Sequence, residues 1–368
     1  MKSAIITNYL AKMTPNSAIK SICILRLSAI GDVCHAVATV QQIQKNYPAA
    51  EITWVLGKVE AMLLADLPGV NFVIFDKKQG VKAYKKLKRD LPQTFDVLLH
   101  MQVALRANIA AMCIKAKRKI GFPKHLSKEL HSLAVNEHTQ AQAQPHVLEG
   151  FQAFAHAIGV EPFEPSWDIP ISEADMTWAK QQLNTQSPIF VIAAAASKAE
   201  RNWSAKGYAE IANYAAGLGF QVVLTGGPTQ MEVELASDIA AFTNASVVNL
   251  VGQSNLKQLL ALLKLADVVL APDTGPAHMA VTQGTPVVGL YAHSNPKRTG
   301  PYTCLEYVVE VYQQHVTNQF GKTTADLKWG TRVKGSDLMQ DISVEAVKQT
   351  IDKLISDKQI NTKVKSIG

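Results

Sequence analysis

From about residue 20 onward, short apolar runs alternate with longer amphipathic stretches. SICILRL reads as a buried strand, SAIGD as a tight turn, and VCHAVATVQQIQKNY as a helix, because its apolar positions recur three and four residues apart. EITWVLG, NFVIFD and FDVLLHM continue as strands with helical stretches between them. Unbroken apolar strands that alternate with amphipathic helices are what a parallel sheet covered on both faces requires. Between about residues 160 and 190 the pattern lapses. VEPFEPSWDIPISEAD holds three prolines and no helical period, which suits a linker.

The alternation then restarts. SPIFVIAAAA, FQVVLTGG, SVVNLVG, DVVLAPD and PVVGLY read as strands, with helices over SAKGYAEIANYAAGLG, TQMEVELASDIAAFT, LKQLLALLKLA and PAHMAVTQ. Gly219 and Gly284 stand where helix C-caps are expected. The pattern predicts an α/β protein of two Rossmann-like, doubly wound parallel-sheet domains facing a central cleft. Their expected spans are residues 1–165 and 166–342, and SVEAVKQTIDKLISD within 343–368 is expected as a helix packing back on the first domain. Open parallel sheets bind ligands at the C-terminal ends of their strands, so the chemistry is sought in the turns that follow strands.

Length agrees with two domains, since 368 residues exceed what one core usually organises. No segment approaches eighteen uninterrupted apolar residues. The N-terminal stretch lacks the apolar h-region of a signal peptide, so the chain is expected in the cytosol. Cys23, Cys34, Cys113 and Cys304 are scattered, and the ten histidines show no HxxxH spacing, so neither disulfides nor a metal site is expected, and no cofactor. Charge is uneven: residues 1–165 hold 20 Lys/Arg against 12 Asp/Glu, and the remainder 17 against 18. The basic runs around Lys77–Arg89 and Lys115–Lys128 are either solvated faces or a surface for an anionic partner.

Four turns carry candidate chemistry. In DVVLAPDTGPAHMAVTQ, Asp273, Thr274 and Gly275 lead from a strand into a helix, and Pro276 suits the first helical turn. The free N–H groups at that helix start suit a diphosphate, unless Asp273 or Thr274 is only an N-cap. In AAAASKAERNWSAKGY, Lys198 and Arg201 offer cations to a leaving nucleoside diphosphate or are solvated loop charges, and Trp203 reads as a packing anchor before Ser204 caps a helix. In LRLSAIGDVCHAVATV, Gly31 permits a tight turn, while Asp32 or Ser28 caps the helix or Asp32 serves as general base. In LTGGPTQMEVELA, Glu232 or Glu234 can reach a ribose or base edge, or is simply solvated.

Together these segments resemble the lipopolysaccharide heptosyltransferases of glycosyltransferase family 9, in order from about residue 22 to 302. The resemblance implies a GT-B fold and a metal-independent, inverting transfer from ADP-heptose to the lipid A–Kdo inner core. It implies Asp32 as the base; Ser28 and Gly31 of the same turn are expected on the acceptor side. It places Arg201, Asp273, Thr274, Gly275 and His278 on the donor; the strand-end reading alone adds Lys198 and Glu232 to the donor side. Where the family usually has Lys, Arg201 keeps the charge as a planar fork. An anionic glycolipid acceptor would suit the basic N-terminal half and a peripheral place at the inner face of the inner membrane. A nucleotide-sugar 2-epimerase shares the architecture and is the rival enzyme. Nucleic acid is a poor partner, because aromatics make up only 7% of the chain and do not interleave with the basic runs.

Overall fold

The computed structural model describes residues 19–184 and 186–362, and the described strands form two six-stranded sheets. The first holds β1 (Ser21–Leu25), β2 (Glu51–Gly57), β3 (Val70–Phe75), β4 (Thr94–His100), β5 (Lys115–Gly121) and β6 (Glu137–His138), in the order β3-β2-β1-β4-β5-β6. The second holds β7 (Ile189–Ile192), β8 (Gln221–Leu224), β9 (Val247–Asn249), β10 (Val268–Pro272), β11 (Val287–Tyr291) and β12 (Val308–Glu310), in the order β12-β11-β10-β7-β8-β9. All the pairings are parallel. Each sheet has the doubly wound order in which a crevice opens where the winding reverses, here beside β1 and β4 and beside β7 and β10.

Side-chain alternation explains the two layers around the first sheet. Ile22 and Ile24 face one way and pack with Val33, Val37 and Phe154 of the helices Ile30–Asn46 and Val147–Ala157. Cys23 and Leu25 face the other way, against Ala83, Leu87 and Ala107 of the helices Val81–Asp90 and Leu105–Cys113. The first of these cores runs without a break into the core of the second sheet. Gly219 and Gly284 lie just past helix ends at φ +97° and +76°, where a side chain would be strained.

Several expectations need correction. The linker holds a helix, Glu173–Gln182, capped by the Ser172 hydroxyl; its sequence hides it, because only Ala179 is fully buried. The second basic run opens as β5, a strand outside the sheet centre whose lysines can face water. The final helix, Val344–Lys358, has its main packing on the helix Ala205–Gly217 and on β11 and β12, so among the described residues it closes the second unit and not chiefly the first. The Trp203 indole N–H fixes the entry to that helix by donating to the Ile342 carbonyl at 3.1 Å, and the Tyr307 hydroxyl donates to Asp357 at 3.0 Å. The linker follows the first unit at least to residue 168, where Trp167 donates to the Cys34 carbonyl and Gln41 bonds the Asp168 backbone. Nearly all of the N-terminal stretch read for a signal peptide, and the last six residues, lie outside the described residues. Among the described residues no helix is long and apolar enough to cross a membrane.

Candidate active site

At the first crevice the chain leaves β1 through Arg26. Its guanidinium donates to the Met101 carbonyl beyond β4 at 2.7 Å, lies 5.3 Å over the Phe151 ring and pairs with Asp32. The helix Ile30–Asn46 starts from Ala29, so neither Ser28 nor Asp32 is its N-cap. Asp32 stands in the first turn, where its Oδ2 accepts the Ala29 N–H at 3.2 Å and the Arg26 guanidinium. Neither donor engages Oδ1, and the side chain is 32% exposed at the mouth of the sheet. Ser28 is part of the crevice floor, its hydroxyl 3.4 Å from the Gln102 amide.

Gly31 lies inside the helix, not in a turn before it. Its lack of a side chain serves a close approach: a Cβ there would collide with the His278 ring. Gly275 does the same from the other side, since a Cβ there would lie 3.1 Å from Ile30 Cγ2. The two helix starts, one after each sheet's crevice strand, therefore abut.

At the second crevice the helix Gly275–Thr282 begins without any side-chain cap, and Thr274 instead donates to the Ala195 carbonyl at 3.3 Å. Its first N–H groups are thus left for an anion at the positive end of the helix dipole. Asp273, its side chain 15% exposed, accepts the Ser294 hydroxyl at 2.7 Å and lies 3.9 Å from His278 Nε2. Burial pushes this carboxyl up, but His278, Ser294 and Arg332 more than offset that and hold it below its ordinary range. The loop after β7 is tied by Asn202, whose Oδ1 accepts the Ala196 N–H at 2.7 Å. Arg201 donates one NH2 to Ser197 at 3.2 Å, while its buried Nε has no partner, and the same is true of His278 Nδ1 and Asn295 Nδ2. Buried polar atoms without partners are costly, and three of them around one crevice favour a polar ligand there.

Three residues that sequence reasoning missed complete the junction, besides Arg26. His35 stacks edge-on to His278 at 4.6 Å and to His146 at 5.2 Å, and His146 Nε2 bonds the Gly300 carbonyl at 3.0 Å. Burial first, then the neighbouring imidazoles, holds His35 well below its ordinary value, and burial holds His146 down to about 4. Arg298, in the turn after β11, is held below its ordinary value by burial, while Asp32 and Asp273 both pull it up. Arg298 thus feels both crevice carboxylates. The signals were thin: a lone charge in an apolar run for Arg26, and position after a strand for Arg298.

Asp32, Gly31, Asp273, Gly275 and His278 thus meet, with Thr274 beside them and Arg201 at the rim. Two other candidates have partners of their own. The Glu232 carboxylate closes the Gly226–Gly227 turn, accepting the Gly227 N–H and the Thr229 hydroxyl, so it is engaged by its own loop. Lys198 is 63% exposed and faces Glu200 at 3.6 Å. A surface hollow lined by Trp167, Val281 and Cys304 lies at the far end of the helix Gly275–Thr282, away from all of these groups.

Comparison with known proteins agrees with this arrangement. A sequence model of the family described as glycosyltransferase family 9 (heptosyltransferase) matches residues 84–329. The chain is 46% identical, over 91% of its length and 97% of the relative's, to the lipopolysaccharide core heptosyltransferase OpsX of Haemophilus influenzae. Among solved structures, a family 9 glycosyltransferase from Veillonella parvula superposes with a TM-score of 0.76 at 21% identity, covering 92% of this chain and 97% of that one. The E. coli heptosyltransferase WaaC with ADP-2-deoxy-2-fluoro heptose superposes with a TM-score of 0.67 at 18% identity, covering 90% and 99%. The fold is therefore GT-B, and the chain belongs to glycosyltransferase family 9, the heptosyltransferases.

Proposed function

We propose that this glycosyltransferase moves heptose from ADP-heptose to the Kdo-bearing inner core of lipid A, with inversion at the anomeric carbon. The observation that carries the reading is the abutment of the two helix starts, which brings Asp32 of one sheet to Asp273 and His278 of the other. The name of the 46%-identical relative supports the sugar and the acceptor pathway, and the ADP-sugar analogue in the E. coli neighbour's title supports the donor.

In this proposal residues 1–165 seat the acceptor and residues 166–342 the donor. Asp32 takes the proton of the acceptor hydroxyl as its oxygen bonds the anomeric carbon. The bond from that carbon to the diphosphate breaks in line, and its electron pair leaves on the diphosphate oxygen. Arg201, Arg298 and the N–H groups at Gly275–His278 neutralise that charge, with Thr274 as a further donor; fixed cations and dipoles of this kind stabilise a departing anion without reorganising. Lys198, in the Arg201 loop, and Glu232, in the neighbouring Gly226–Gly227 turn, flank the donor from the side of β7 and β8. The work takes place in the cytoplasm, at the inner face of the inner membrane.

The test is to incubate the enzyme with ADP-heptose and Kdo-bearing lipid A, with donor alone as the second arm. Heptosylated acceptor and free ADP are expected in the first arm and unchanged donor in the second. An epimerised sugar in the donor-only arm, or transfer only from a UDP- or GDP-sugar, would overturn the proposal.

A further inference from the structure

The first unit wears an unusual rim. Of the thirteen large apolar side chains that stand exposed among the described residues, nine belong to it, and most of those follow the C-terminal ends of its strands. Val59 and Met62 lie in the helix Lys58–Leu64 after β2, and Leu105 opens the helix after β4. Leu126, Leu130 and Leu133 follow β5, the last two 54% and 73% exposed. Exposed basic residues stand between them: Lys58, Lys77 and Lys78, Arg106, Lys124 and Lys128. The second unit exposes only four, Val233 and Phe242 on the helix Gln230–Phe242 and Leu305 and Phe320 each on another element.

The acidic residues on the same turns are engaged locally. Asp76 accepts the Lys78 N–H at 2.9 Å, the Glu129 carboxylate accepts the Leu105 N–H, Asp66 pairs with Lys257 of the second unit, and Glu60 is buried. Six exposed basic side chains against these four carboxylates leave the rim net cationic, with the apolar side chains among them.

A buried network holds this shape. Asn108 Oδ1 accepts His100 Nε2 at 2.7 Å and His131 Nδ1 at 3.0 Å, and its Nδ2 donates to the Glu129 carbonyl at 2.6 Å. His131 Nε2 in turn accepts the Phe122 N–H at 3.2 Å. Glu129 and Leu130 are kept at φ +52° and +70°, a conformation that bulky residues rarely adopt, so the loop is held with Leu130 outward at a conformational cost.

We propose that this strand-end rim docks on an anionic phospholipid bilayer, its leucines and methionine entering the headgroup boundary and its lysines and arginine meeting lipid phosphates. Interfacial binding of soluble proteins uses that pairing of apolar side chains with basic ones. A nucleic acid fits less well, because the rim presents no aromatic side chain among the residues named. The rim lies on the crevice side of β1 and β4, so a lipid-borne sugar reaches Asp32 while its acyl chains stay in the membrane. That purpose rests on the glycolipid acceptor proposed above; the docking itself does not.

The experiment is sedimentation with vesicles of phosphatidylethanolamine and phosphatidylglycerol, against phosphatidylcholine vesicles, with neither donor nor acceptor present. Wild type should follow the anionic vesicles only. Lys124→Gln/Lys128→Gln should weaken partitioning roughly 25-fold at low salt, at about 5-fold per basic residue. Leu126→Ser/Leu130→Ser should weaken it at high salt as well, and Phe242→Ser/Phe320→Ser should leave it unchanged. Melting temperature and ADP-heptose affinity by calorimetry should match wild type in all three, which separates a failed rim from a failed donor site. Wild type that stays in solution with anionic vesicles, binds only when Kdo-bearing lipid A is embedded, or binds equally well with the rim substituted overturns the proposal.

Discussion

Beyond β1 the chain sets Arg26 against Asp32; beyond β10 it sets His278 and Ser294 against Asp273. Each sheet has the same winding, and each presents one carboxylate where that winding reverses. The surroundings then part. Asp32 is a third exposed, with one oxygen tied and the other turned from those donors, whereas Asp273 is mostly buried and held ionised by an imidazole, a hydroxyl and a distant guanidinium. A group that must take up and release a proton needs access, and a group that must orient a neighbour needs a fixed charge. Topology places a carboxylate; the few residues around it decide which task it can do.

The largest expected effect breaks that contrast directly. Asn at position 32 keeps an oxygen for the Ala29 N–H, so Asp32→Asn should fold with a near-normal melting temperature and bind ADP as wild type does. Its turnover should fall by the ~10²–10⁴-fold typical of a lost general base. A fully active Asp32→Asn enzyme would leave the fold intact and remove the catalytic assignment.

Acid sharpens the contrast in another way, because the first unit carries the buried histidines with depressed values: His146 and His131 at about 4, His100 at about 3. His146 accepts the Leu148 N–H on Nδ1 and meets the Gly300 carbonyl with Nε2, so a second proton would cost the helix cap. His278, Arg298 and Asp273 face it from the second unit, the first two opposing the added charge and Asp273 favouring it. Its folded value lies below the unfolded one of 6.5, so the unfolded chain binds the proton first. Stability is full above pH 6.5 and falls as pH drops toward 4, by up to about 3 kcal/mol for this one group. His146→Asn retains a cap without titrating and should flatten the dependence of melting temperature on pH in that window. A variant with the wild-type slope would show that other groups set it.

The smallest effect concerns the donor side. Arg298→Ala and Arg201→Ala should each weaken ADP binding by about 1–3 kcal/mol, the scale of a charge-assisted hydrogen bond. Both variants should also lower turnover at saturating donor, because each cation offsets charge that develops on the departing diphosphate. Calorimetry and kcat measured together decide this, and unchanged ADP affinity in either variant would strike that residue from the phosphate site.

Most of the architecture was legible in the sequence because its causes are local. Apolar runs such as CILRL and VVLAP fold as central strands whatever stands elsewhere, and DTGPAHM announces an open helix start within seven residues. Elements whose causes are remote were not legible. β5 looks like a basic patch until β4 and β6 flank it, and the helix Glu173–Gln182 has little apolar stripe because it mainly meets another helix. Gly31 was misread for the same reason, since the partner that forbids a side chain there is His278, far along the chain. His35, His146 and Arg298 acquire meaning only when the units meet.

The glycine contacts at residues 31 and 275 carry a consequence for how such a protein can be altered in evolution or in the laboratory. Two-unit enzymes invite exchange, in which the donor half of one relative is joined to the acceptor half of another. Here each half ends in a shape cut for the other: a missing side chain at 31 receives an imidazole, and a missing side chain at 275 receives an isoleucine. A chimaera that brings a larger residue to either position would have to part the helix starts, and with them the two carboxylates. The join that matters for exchange is therefore this pair of contacts, although the polypeptide crosses between the halves somewhere else.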